Sequence, residues 1–216
     1  NGGGVHIDGV SRIVSCSVLS EFRVASSGLG RSTVSLGFYK SLESSIGLPQ
    51  DSGSLSALMT GLETALVSAA SRPDSDVRLR EVFDAANQLV QKIGSISNTI
   101  QDSRTNADRQ IGLQVDSLNN DLSEVSRLNR QIIIEGANGR DTSSLVDARQ
   151  AVVDRISNIV PVREMPRDNG RIALFTTGGM VLLDGTTPTS FGFQPTGRLT
   201  PDIDSNSTVL GRLTID

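Results

Sequence analysis

The residues with the potential for covalent or metal chemistry are few. The chain has one histidine, His6, and one cysteine, Cys16. A Ser-His-Asp relay would have to run through His6, which lies in the glycine-rich stretch from Asn1 to Ser11 and reads as a loop histidine. Cys16 sits among apolar neighbours on an expected helix with no basic partner, so it reads as a small core residue rather than a thiolate nucleophile. One His and one Cys cannot build a zinc centre. Asp202-Ile-Asp204 followed by Ser205-Asn206 is a faint echo of a calcium loop without its terminal Glu, and it reads as a polar loop. Neither Asn1–Gly4 nor Gly178-Gly179 has the Lys-Ser/Thr end and strand-to-helix setting of a phosphate loop. Cleavage of a glycan or peptidoglycan would need two carboxylates lining a cleft, and nothing selects such a pair from the many on the helices. On the sequence, no catalytic, cofactor-binding or metal-binding residue is assigned, and no cofactor is expected.

The remaining polar signal is a strip of paired charges, Asp147 with Arg149 and Asp154 with Arg155. Such strips are usually solvated faces in which each exposed pair contributes little. The other reading is that they fix the register between two helices.

The elements that would carry these residues follow from apolar periodicity. From Arg12 to Ile46 the spacing is helical, with Val18, Leu19, Phe22, Leu29, Leu36, Tyr39 and Leu42 on one stripe. A bend or break is expected near Ser27–Gly30, and Gly47-Leu-Pro49 should end the helix. A second helix is expected over 54–71, capped by Asp51, Ser52 or Ser54. A third should start at Pro73 and continue to about Glu135, which at 1.5 Å per residue is roughly 90 Å. Its seam, Leu79, Val82, Ala86, Leu89, Ile93, Ile96 and Ile100, has the 3-4 alternation of a heptad repeat. With Ile93 buried there, Ile93→Asp would cost more than about 3 kcal/mol. The seam resumes at Ala107, Ile111, Val115, Leu118, Leu122, Val125, Leu128 and Ile132. Between the two runs it slips near Ser103, a place expected to be left open for a missing helix. A fourth helix, capped by Asp141 or Thr142, should carry Leu145, Val152, Ile156 and Ile159 back against the end of the third.

After Pro161 the period becomes 2, and Asp168-Asn169-Gly170, Gly178-Gly179 and Asp184-Gly185 mark hairpin turns. Leu210–Ile215 reads as a further strand whose partners lie outside the chain. The expected fold is α+β: an elongated antiparallel helical bundle with long coiled-coil-like helices, then a small β-rich domain. The corresponding division is a helical rod over 1–160 and a β-rich region over 161–216 that the chain leaves incomplete.

Composition narrows the function classes. Of 216 residues, 37% are apolar and 3% aromatic, with no Trp, which suits the narrow seam of a helix bundle better than a thick core. A formal charge of −4 opposes a general nucleic-acid binder. No run of about 18 apolar residues predicts a membrane span, and the N-terminus lacks the basic start and apolar stretch of a signal peptide.

Several stretches, in order, resemble the family of flagellar hook-associated protein 1, the first hook–filament junction proteins of bacteria. The most specific is Asp141–Val160, similar to a family block with the pattern L-L-D-Q-R-D-x-L-V. Leu145, Asp147, Arg149 and Val153 match it, whereas Val146 and Ala148 stand where Leu and Gln are commoner. Leu55–Ala70 with Pro73 and Arg78, then Gln114–Asp116 through Leu128-Asn129, resemble two further blocks. Gly9–Arg12 resembles the segment after the family's first helix. The likeness covers nearly all of Val5–Gly185, and the family's terminal coiled-coil segments are not in this sequence.

The resemblance implies a structural junction adaptor between a bendable hook and a stiff filament, without enzymatic activity. It implies as partners copies of itself in a ring, the hook protein, the second hook-associated junction protein and an export chaperone for the intact protein, with no nucleic acid or membrane partner. It places the protein in the extracellular flagellum, exported unfolded by the flagellar type III pathway without a cleavable signal. The competing expectations are a generic coiled-coil scaffold and another axial flagellar protein, such as a filament–hook junction or cap component.

Overall fold

The computed structural model describes residues 16–204 and 206–215. It contains four helices followed by short antiparallel strands: α1 (Cys16–Ile46), α2 (Leu55–Ser71), α3 (Asp76–Ala137), α4 (Ser143–Ile159), β1 (Val162–Pro166), β2 (Ile172–Thr176), β3 (Val181–Asp184), β4 (Thr187–Pro188), β5 (Phe191–Gly192) and β6 (Thr214–Ile215). This is the α+β arrangement expected from the switch of period, which falls between Ile159 and Val162. His6 and the N-terminal part of the first expected helix lie outside the described residues.

Local chemistry sets the boundaries. Of the expected bend or break near Ser27–Gly30, the break does not occur: α1 runs through these residues without interruption. It ends at Gly47, which has φ of +82° and donates its N–H to Glu43 O, with Pro49 beyond. Ser54 caps α2, its Oγ accepting from Ala57 N at 3.2 Å. α3 is unbroken for 62 residues but starts at Asp76, because Pro73 is used in a tight turn instead of opening the helix. At α4 the cap is Asp141, whose carboxylate accepts from the Ser143 amide (2.9 Å) and hydroxyl (2.7 Å), while Thr142 makes no side-chain cap. These contacts, the Ser143 hydroxyl first, hold the Asp141 carboxyl below its ordinary pKa.

The chain forms two compact units that cut across the helix-to-strand boundary. The described part of the first comprises residues 16–30 and 118–189, and that of the second residues 31–117, 190–204 and 206–215. In the first, β1-β2-β3-β4 form a sheet in sequence order, with β1 and β2 paired from Val162↔Thr176 to Pro166↔Ile172. Its core interleaves Leu122, Val125, Leu128 and Ile132 of α3 with Val153 and Ile156 of α4 and with Val162, Ile172, Leu174, Leu182 and Leu183 of the strands, all buried. The second unit is thinly filled: its buried apolar residues, among those described, are Ala69, Val115, Phe191 and Leu199. Its last strand is only Thr214–Ile215, and it pairs with Phe191–Gly192 within the chain rather than awaiting an outside partner.

The two halves of the α3 seam therefore differ. Val125 is 0% exposed, but Ile93 is 52% exposed, which corrects the expectation of a buried Ile93. Val125→Asp should destabilise the chain by more than about 3 kcal/mol, since it buries an unpaired charge. Ile93→Asp should stay within about 1 kcal/mol, because half of its surface already meets water. Urea unfolding followed by circular dichroism checks both.

Candidate functional site

In the first unit, polar side chains rather than apolar ones hold the elements in register. Asn129, fully buried on α3, satisfies both ends of its amide. Its Nδ2 donates to the carbonyls of Ile172 (2.9 Å) and Gly185 (2.5 Å). Its Oδ1 accepts from Arg149 Nη1 (2.8 Å) and from the Ile172 amide (3.3 Å). Arg149 Nη1 also donates to Gly170 O at 2.7 Å. One α3 side chain thus joins α4, the start of β2, the β1–β2 turn and the β3–β4 turn. Ser126, one helical turn earlier, donates to Thr186 O at 2.7 Å and strengthens the last of these ties.

The turn itself needs its sequence. Asn169 and Gly170 have φ of 58° and 72°, the left-handed region that Asn and Gly enter most readily. A Cβ at Gly170 would also lie 3.0 Å from Ile132 Cγ2, so the turn packs directly on α3.

The charged strip of α4 is accordingly more than a solvated face. Arg149 is buried, and burial pushes its pKa down against the opposing pull of Glu164. Arg155 pairs with Asp121 of α3 at 2.7 Å, and Asp154 accepts from Arg23 of α1 at 2.9 Å. Asp147 is exposed. The register reading holds for Arg149, Asp154 and Arg155.

Arg23 was not singled out by sequence reasoning. It is 2% exposed and also pairs with Glu164 of β1 at 3.1 Å, while Ser26 donates to Asn158 at 2.9 Å. In this stretch of α1, Leu19, Arg23, Ser26 and Gly30 turn inward at 3-4 spacing, and Val18, Phe22, Ala25 and Leu29 turn outward. Phe22 is 63% exposed. The only available signal was that small and polar residues share a helical face, and apolar periodicity ignores that signal. The outward row is itself a heptad row. The second unit carries another on α3: Leu79, Phe83, Val90 and Ile93 are exposed, Phe83 at 67%, with Ala86 half-buried between them. Exposed apolar rows of this spacing are surfaces for another helix.

The remaining sequence candidates are not brought together. Cys16 opens α1. Gly178-Gly179 closes the β2–β3 hairpin, the Gly179 amide donating to Thr176 O at 2.9 Å. Asp202 and Asp204 lie in turns, and no cluster of three or more His, Cys, Asp or Glu suited to a metal ion occurs among the described residues. Among the same residues no helix is long and apolar enough to cross a membrane.

These features define a helix-dominated scaffold that fastens a small sheet to one long helix by buried polar ties and turns apolar rows outward. Residues 39–210 match the model of the flagellar hook-associated protein FlgK helical domain, which is most of the chain, and the chain belongs to the FlgK family. The structure of the flagellar hook junction protein FlgK from Burkholderia pseudomallei has the same fold, with a TM-score of 0.71 at 18% identity. The match covers 81% of this chain and 30% of that protein, so the chain spans under a third of its length. No curated protein matches the chain in sequence.

Asn129→Ala leaves the Ile172 amide and two carbonyls buried without partners and should cost about 3 kcal/mol or more. Arg155→Ala removes a half-exposed partner and should cost about 1 kcal/mol. Denaturant midpoints of the two variants, measured side by side, check the ordering.

Proposed function

We propose that this chain is the helical part of a junction adaptor between the flagellar hook and filament. It acts by contact rather than by catalysis. The observation that carries the reading is the pair of outward apolar heptad rows, Val18–Leu29 on α1 and Leu79–Ile93 on α3, in a chain of the FlgK family. Rows of this kind are surfaces that another helix would cover, and segments of the longer family protein are the natural first layer. Beyond them the expected partners are further copies in a ring, the hook protein and the second hook-associated junction protein. An export chaperone would hold the intact protein before assembly. The working location is the extracellular flagellum, reached unfolded through the flagellar export channel.

The unequal filling of the chain supports this division of labour. The first unit is held by its own polar ties, whereas the second has few buried apolar residues and gains most from being covered. Phe83→Asp with Val90→Asp should leave the unfolding midpoint of this chain within about 1 kcal/mol of the parent. Placed in the full-length protein in the source bacterium, the same pair should abolish filament attachment and release filament subunits into the medium. Normal filaments and normal swimming in that strain would refute the proposal.

A further inference from the structure

The seam slip near Ser103 is not an empty berth. In the second unit the backbone of Phe193–Asp204 is seated on this stretch of α3. Arg104 donates to Thr200 O at 3.3 Å and to Ile203 O, and is itself braced by Gln101 at 2.7 Å. Thr105 Oγ1 accepts from the Leu199 amide at 3.0 Å, and Asp108 Oδ2 from the Thr196 amide at 2.6 Å. One turn further on, Gly112 is buried under the Pro195 ring, and a Cβ there would stand 2.8 Å from Pro195 Cγ. Arg104, Asp108 and Gly112 are spaced by four, so they form one stripe along the helix. Each of these hydrogen bonds from α3 to the segment is to its main chain. The Thr196 hydroxyl closes the segment on its return arm, donating to Val209 O (2.8 Å) and accepting from Gly211 N (3.1 Å).

We infer that Phe193–Asp204 is a strap that opens and closes as one piece on a backbone-reading stripe of α3, with Gly112 as the seat that lets it close. The strap has no regular secondary structure, and the strand pair that anchors it is two residues long on each side. Its hold is a short set of side-chain ties, which places it at the low-stability end of the chain's local openings. With the strap seated, a recess of ≈ 420 Å³ lies between it and α3, its apolar lining shared by Ala107 and Ile111 of the helix, Phe193 and Leu199 of the strap, and Leu210, so opening the strap exposes the two helix residues. The inference does not depend on the junction role.

Gly112→Ala separates strap from helix, because Ala favours the helical backbone over Gly while its Cβ collides with Pro195. Amide hydrogen exchange on the 216-residue chain reads the result. The Thr196 and Leu199 amides should exchange at least tenfold faster in Gly112→Ala, in step with each other, while α3 amides near Val90 exchange no faster than in the parent. Arg104→Met should reproduce the strap effect without altering Gly112. Unchanged exchange at Thr196 and Leu199 in both variants would overturn the inference. So would acceleration of α3 by the same factor, since the strap would then open only with the whole unit.

Discussion

A buried primary amide has two donors and an acceptor oxygen with room for two bonds, and leaving any of them unmet costs about 1–3 kcal/mol each. Asn129 meets all four through three residues, each in a different local feature of the first unit. Ile172 begins β2, Gly185 turns β3 into β4, and Arg149 belongs to α4 and carries the tie on to Gly170. A shift of α4 by one residue, or of the sheet by one strand position, would strand several of these groups at once. Apolar burial around Val125, Leu128 and Ile132 supplies the bulk of the stabilisation. It is tolerant of small displacements, whereas the amide is not. Register in this unit is therefore set by Asn129, and the apolar seam fills in around it.

The same chain turns much of its remaining apolar surface outward. On α1, Arg23 faces inward to Asp154 and Glu164 while Phe22 faces solvent. On α3 the seam that is sealed at Val125 is open at Ile93. A helix-built member of the FlgK family has reason for both. Its inward contacts must hold without the thick aromatic core that its composition denies it, and on the proposed reading its outward rows join it to a larger assembly. Polar ties suit the first task because they specify position with little volume. Apolar rows suit the second because their burial is non-directional and accumulates along a long interface.

Much of this was legible in the residues. Heptad spacing marked α3, Gly47 and Pro49 marked the end of α1, and Asp168-Asn169-Gly170 marked the first hairpin turn, all through local chemistry that depends on few neighbours. What periodicity lacks is knowledge of the partner. It finds an apolar row but not whether the chain itself covers it, which is why Ile93 and Val125 looked alike. It also discounts polar residues, so Arg23 was not singled out, Asn129 was noticed only within a family-like block, and the Arg104–Gly112 stripe was read as a gap in a seam. The interleaving of the two units, in which α1 and α3 each serve both, depends on contacts between residues more than a hundred positions apart, such as Arg23 with Asp154.

The claim that Asn129 sets the register is tested most directly by a double-mutant cycle with Arg149. Asn129→Ala, Arg149→Ala and the double variant are compared with the parent by urea unfolding of the chain. A hydrogen-bonded pair acting as one tie should show a coupling of about 1.5 kcal/mol or more, the double variant costing less than the sum of the two single losses. Additive losses, within about 0.5 kcal/mol, would mean that the two side chains stabilise the unit independently, and would contradict the account.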